Sequence, residues 1–148
     1  MIDGRVGAVA CCGLPDAVEG IVGSARAEID IDRPADAVWA VVGDFGGIAG
    51  WMPGVESCRT DGDDRIIAMM GMEITERLER RYDDDRVLVY GIVGGVPVGN
   101  HKATITVTPA GSGTRVTWDV EVEPDEMTDM MHQVYQQSLD ALRQHLSA

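Results

Sequence analysis

Residues 114–146 read TRVTWDVEVEPDEMTDMMHQVYQQSLDALRQHL, and a change of period inside them decides the fold. Up to Val122 the stretch alternates. Val116, Trp118, Val120 and Val122 fall on one face, with Arg115, Thr117, Asp119 and Glu121 on the other. Period two marks a half-buried strand. From Glu126 the period becomes 3.6, and Met127, Met130, Met131, Val134, Leu139, Leu142 and Leu146 form one apolar stripe. That spacing predicts a helix from about Glu126 to Leu146, roughly 30 Å long. Pro124 or Asp125 opens it, with acidic residues in the first turn, where the helix dipole favours them.

Upstream, the pattern is a series of strands. Asn100–Thr108 alternates and joins Thr114–Val122 through a turn at Pro109–Gly113. Val87–Val93 is strongly β and ends at Gly94-Gly95, while Met72–Tyr82 runs long into a hairpin loop at Asp83-Asp84-Asp85. Val55–Thr60 and Arg65–Met70 are two more strands around an Asp61–Asp64 turn, with Gly71 after them. The first strand is Ser24–Ile31, with Ala25, Ala27, Ile29 and Ile31 on one face. Between it and the rest, Ala35–Asp44 reads as a short helix with a core stripe of Val38, Val41, Val42 and Phe45, ended by Gly46-Gly47. Ile48–Met52 reads as a second, stopped by Pro53-Gly54. Strands joined by short turns are antiparallel. The class is therefore α+β: a twisted, curved antiparallel sheet of six to seven strands packed on one long helix.

At 148 residues the chain makes one domain with a sizeable core. An apolar share of 45% rules out a disordered chain. Twelve Lys and Arg against 25 Asp and Glu give a net charge of −13, which argues against nucleic acid or an anionic membrane face as a partner. Cys11, Cys12 and Cys58 form no disulfide framework and no zinc spacing, so a reducing cytoplasm is the expected home. No apolar run is long enough to span a membrane. Residues 6–14 resemble a weak signal-peptide core, but only Arg5 flanks it and no good cleavage site follows. Residues 1–23 are read as an extension and 24–148 as the domain.

The stretches Ala35–Phe45, Trp51–Gly54, Ile74–Leu78, Val89–Ile92, Pro97–Asn100 and Thr117-Trp118, in this order, resemble the START-like or SRPBCC superfamily. The resemblance is to its polyketide cyclase/dehydrase branch and covers nearly the whole chain from Ser24. It implies the helix-grip fold, with a cavity left between sheet and helix, and a loop such as Gly94-Gly95-Val96-Pro97 gating entry. A typical ligand cavity is about 300–1,000 Å³. The superfamily includes carriers, receptors and cyclases, so fold alone leaves activity open.

The candidate site residues are read one by one. Glu76 shares the apolar face of Ile74, Leu78 and Tyr82. A carboxylate there either orients a ligand or moves a proton, or else pairs structurally with Arg80 or is turned outward by a bulge. His101 shares the face of Ala103, Ile105 and Val107 and is a core residue or Glu76's partner across the cavity. Tyr90 brings a phenol into an all-apolar strand, as cavity hydroxyl or core filler. Trp118 suits a cavity floor and Trp51 its entrance. Met127, Met131 and Tyr135 follow one another by single turns at the start of the long helix. Met69, Met70, Met72 and Met130 add adaptable apolar surface or plain core. Asp83–Asp85 suits solvent better than a metal, and no motif calls for a metal or cofactor. Three functions stay open: a carrier or sensor for a small apolar or amphipathic molecule (lipid, polyketide or isoprenoid-like); a cyclase or dehydratase using Glu76 or His101 as acid/base; and an interaction module without a pocket. A homodimer is left open.

Overall fold

The computed structural model describes residues 22–147. The signal-like stretch, Cys11 and Cys12, and all but the end of the expected extension lie outside the described residues. In chain order the elements are β1 (Gly23–Ile31), α1 (Ala35–Val42), a 3₁₀ turn (Phe45–Gly50), β2 (Val55–Asp61), β3 (Asp64–Met69), β4 (Met72–Tyr82), β5 (Val87–Gly94), β6 (Asn100–Ala110), β7 (Gly113–Glu123), a second 3₁₀ turn (Asp125–Met127) and α2 (Thr128–Ser147). The seven strands form one antiparallel sheet in the order β1-β7-β6-β5-β4-β3-β2. Only β1 leaves its sequence neighbour, crossing to pair with β7 from Gly23↔Val122 to Ile31↔Thr114.

Alternation sets which face is core. Ala27, Ile29 and Ile31 of β1, Ala103, Ile105 and Val107 of β6, and Val116, Trp118, Val120 and Val122 of β7 are all buried. Helix α2 covers this half of the sheet with Met131, Tyr135, Ser138, Leu139, Leu142 and Leu146, the stripe that a 3.6 period puts on one side. Burying a side chain such as Leu139 or Leu142 contributes about 1.5–3 kcal/mol. The far end of α2 is fastened by the Arg33 guanidinium, which donates to the Leu146 carbonyl, an unmatched acceptor at any helix C-terminus. Among the described residues no helix is long and apolar enough to cross a membrane.

Several boundaries differ from expectation, each for a local reason. The long helix starts at Thr128, two residues late, because a 3₁₀ turn closes first: the Met127 N–H donates to the Pro124 carbonyl at 3.1 Å. Met127 therefore precedes α2 instead of opening it. The first short helix stops at Val42, and the second begins at Phe45, so Gly46-Gly47 lies inside it. A side chain at Gly46 would meet Thr60 Cγ2 at 2.8 Å, so glycine lets the turn lie directly on β2. Strand β6 continues through Pro109, and its turn shortens to Gly111-Ser112. Tyr82 does not share the face of Glu76. A register shift between Leu78 and Arg80 turns the end of β4 over and leaves Tyr82 exposed.

Candidate functional site

The concave side of the sheet carries two polar pairs in an aromatic setting. The first is Glu76 with Arg65. Two antiparallel strands joined at Met70-Gly71 place Arg65 opposite Glu76, and both side chains point inward. The Arg65 Nε and Nη2 donate to Glu76 Oε1 at 2.8 and 2.7 Å, and Nη1 donates to the Phe45 carbonyl at 2.8 Å. Both residues are buried, Arg65 at 3% and Glu76 at 7% exposure. The guanidinium also lies 3.9 Å from the Phe45 ring centroid and 4.8 Å from that of Tyr90, a cation held between two π faces. Burial pushes the Glu76 carboxyl above the usual range, and the Arg65 charge and hydrogen bonds oppose that rise. The expected structural partner, Arg80, is not the one Glu76 takes; Arg65 of the neighbouring strand holds it instead.

The second pair is His101 with Tyr135. Its Nε2 lies 2.8 Å from the Tyr135 hydroxyl, and its Nδ1 accepts the Ile92 N–H at 3.2 Å. A backbone N–H can only donate, so Nδ1 is bare and the proton of the neutral ring sits on Nε2. Burial drives the imidazole down to about 4, so the ring is neutral at pH 7. Nε2–H then donates to the Tyr135 oxygen, which frees the tyrosine's own proton for another acceptor. The expected contact of His101 with Glu76 is not the one it makes.

Aromatic rings fill the space between the two pairs. Trp118 stacks on Tyr135 at 4.1 Å and 5°, Tyr90 sits 6.0 Å from His101 and 5.7 Å from Phe45, and Trp51 lies 6.2 Å from Trp118. Burial raises both phenols, Tyr90 and Tyr135, well above the usual tyrosine range. Among the described residues the buried N–H of Trp118 has no hydrogen-bond partner, and neither has the buried N–H of Trp51. A buried donor left unmet costs about 1–3 kcal/mol.

The methionines divide. Met131 is buried and Met127 half-buried against the core, while Met70, Met72 and Met130 are exposed. Depressions also open on the convex side. One of about 600 Å³ is bordered by Arg26, Thr104 and Glu121, and one of about 330 Å³ by Glu79, Lys102 and His101. Neither is lined by Trp118 or Tyr135. Among the described residues no cluster of His, Cys, Asp or Glu could hold a metal. Asp83 instead accepts the Trp39 indole N–H at 3.1 Å and Arg81 Nε at 3.0 Å.

A seven-stranded antiparallel sheet curved against a C-terminal helix, with polar pairs on its concave side, defines the helix-grip class, the SRPBCC or START-like proteins. Within that class the chain belongs to the polyketide cyclase/dehydrase and lipid transport family, whose model matches residues 23–147. Solved structures agree. The XoxI protein of Bacillus cereus is 29% identical, with a TM-score of 0.78 over 84% of this chain and 95% of its own. An uncharacterized Bacillus thuringiensis protein is 26% identical, with a TM-score of 0.80 over 85% of this chain and all of its own (100%). Norcoclaurine synthase of Thalictrum flavum, solved with a transition-state analogue, shares the fold at 18% identity, with a TM-score of 0.66 over 85% of this chain and 94% of its own. No curated protein sequence matches the chain.

Proposed function

We propose that the chain binds a small apolar or amphipathic molecule on the concave side of its sheet, as a carrier or sensor. The observation behind this reading is the pair of buried indole donors, Trp51 and Trp118, with no partner among the described residues. Interiors rarely leave such donors unmet, and a ligand oxygen is the simplest group to meet them. Tyr135 stacks on Trp118 and bonds to His101, beside which Tyr90 lies, and Met131 and Met127 add flexible apolar surface to the same core. The family's description, which joins cyclases with lipid transport, is compatible with this reading.

An enzyme is the second reading, favoured by one observation. The His101–Tyr135 hydrogen bond leaves the Tyr135 proton free to be donated. A cyclase or dehydratase would then use the Tyr135 hydroxyl as acid, oriented by His101, because both ring nitrogens of His101 are engaged and Glu76 is held by Arg65.

Native mass spectrometry of the protein purified from its own host tests both. A bound molecule of a few hundred daltons, released intact, is the expected result. Chemical change of that molecule during incubation would favour the enzyme. A chain that emerges empty, and that no neutral apolar compound stabilises, would sink the binding reading.

A further inference from the structure

The two unmet indoles are neighbours, but they are held differently. Trp118 sits in the ladder between Ala27 and Ile105, is 1% exposed and stacks flat on Tyr135. It belongs to the frame. Trp51 belongs to no strand or helix. It follows the 3₁₀ turn and precedes Pro53-Gly54, where Gly54 has φ +82°. Its backbone is anchored, with the N–H of Trp51 donating to the Ile48 carbonyl at 3.2 Å, so the indole can swing about its own side-chain bonds without moving the loop. The indole is half-buried, packs against Trp118, and its single polar atom has no partner among the described residues. A ring held by apolar contact alone against a rigid stacked pair is easily exchanged for another flat group that also satisfies the donors.

We propose that Trp51 is a displaceable plug, and that the molecule displacing it is flat, uncharged and carries a carbonyl-type oxygen that the Trp118 N–H and the Tyr135 O–H receive. This rests on the binding reading above and narrows it to a ligand class. Flatness follows from what is replaced, an indole against an indole. The oxygen follows from the donors: Trp118 can only donate, and Tyr135, already accepting from His101, has its proton to give. Neutrality follows from the Arg65–Glu76 pair beside the site. An added anion would meet the Glu76 carboxylate and an added cation the Arg65 guanidinium, and neither has a spare counter-charge.

The test is calorimetric titration of the full chain with three molecules of one skeleton: 9-fluorenone, fluorene and fluorene-9-carboxylate. Fluorenone should bind about tenfold more tightly than fluorene, the worth of one good hydrogen bond, with the carboxylate weakest. Trp51→Ala should strengthen fluorenone binding several-fold, because the plug no longer competes. Tyr135→Phe and Trp118→Phe should each reduce the preference for fluorenone over fluorene. If Trp118→Phe does not fold, Tyr135→Phe, which removes only an oxygen, still decides the matter. Equal binding of fluorenone and fluorene overturns the ligand class while leaving a binding site. Weaker or unchanged fluorenone binding in Trp51→Ala makes Trp51 a wall and overturns the plug. Binding of none of the three, to the parent or to Trp51→Ala, overturns the proposal, and the binding reading then stands or falls on the native mass spectrometry above.

Discussion

Arg65 and Glu76 form a buried ion pair whose two halves are not equivalent. The guanidinium cannot give up its proton, so Glu76→Gln strands a positive charge between Phe45 and Tyr90. Breaking one side of a buried pair costs about 3–5 kcal/mol, whereas replacing both sides with apolar groups is often neutral. Urea denaturation should therefore find Glu76→Gln far less stable than the parent. The double variant Arg65→Met with Glu76→Leu should fall within about 2 kcal/mol of the parent, the remainder being the Phe45 carbonyl left without its donor. A mild Glu76→Gln would mean that the carboxyl was already protonated. His101 supplies the pH dependence. Its folded value of about 4 lies below the ordinary 6.5, so the unfolded chain binds more protons between those values. The neutral ring's contribution is whole above about pH 7 and is lost as pH falls through 6.5 towards 4, by about 3 kcal/mol in full. Comparing the parent with His101→Gln at pH 7.5 and pH 5 isolates this loss. Equal slopes would contradict it.

The hairpin of β3 and β4 turns through Met70 and Gly71, both at positive φ, +52° and +74°. That is the two-residue loop whose twist suits a hairpin and whose preferred sequence is Asn-Gly. Methionine is out of place in the left-handed region, and at 71% exposure its side chain contributes little packing. Met70→Asn should stabilise the protein by about 1 kcal/mol and raise the melting temperature by a few degrees; a fall would show that the exposed methionine has a packing role after all. The same turn explains what the sequence could have disclosed. A two-residue loop at 70–71 forces Met69 opposite Met72, and stepping back by twos puts Ile67 opposite Ile74 and Arg65 opposite Glu76. The Arg65–Glu76 pair was thus legible from alternation and turn length together. The orientation of Tyr82 was not, because a register shift near Leu78 reverses the faces beyond it without any glycine to mark the place. Nor was the place of Trp51, because a 3₁₀ turn leaves no apolar period to read.

At the scale of the whole molecule, the change from period two to period 3.6 near Pro124 was enough to give the sheet-and-helix architecture, since each strand announced itself locally. The site was legible only as a set of inward-facing residues; which of them touch depends on register and on the path of the first 3₁₀ turn. The sheet's first strand begins at Gly23, pairs with β7 through nine residues and packs on α2. A chain begun at Val22 should accordingly melt within a few degrees of the full one, and a much larger drop would mean that residues 1–21 pack on the core. The sheet also has a seam. Backbone pairing of β5 with β6 stops at Tyr90↔Ala103, while β5 stays with β4 as far as Gly94. Beyond Tyr90 the Ile92 N–H is met by an imidazole in place of a carbonyl. The molecule is thus two leaves joined along one line, with a titratable latch near its end. Acid that protonates His101 takes away the only lone pair Ile92 can use. The leaves should then part from that end, and the Ile92 amide should lose its protection against deuterium exchange before those of Leu88 and Tyr90, opening the interior along the sheet without disturbing the helix.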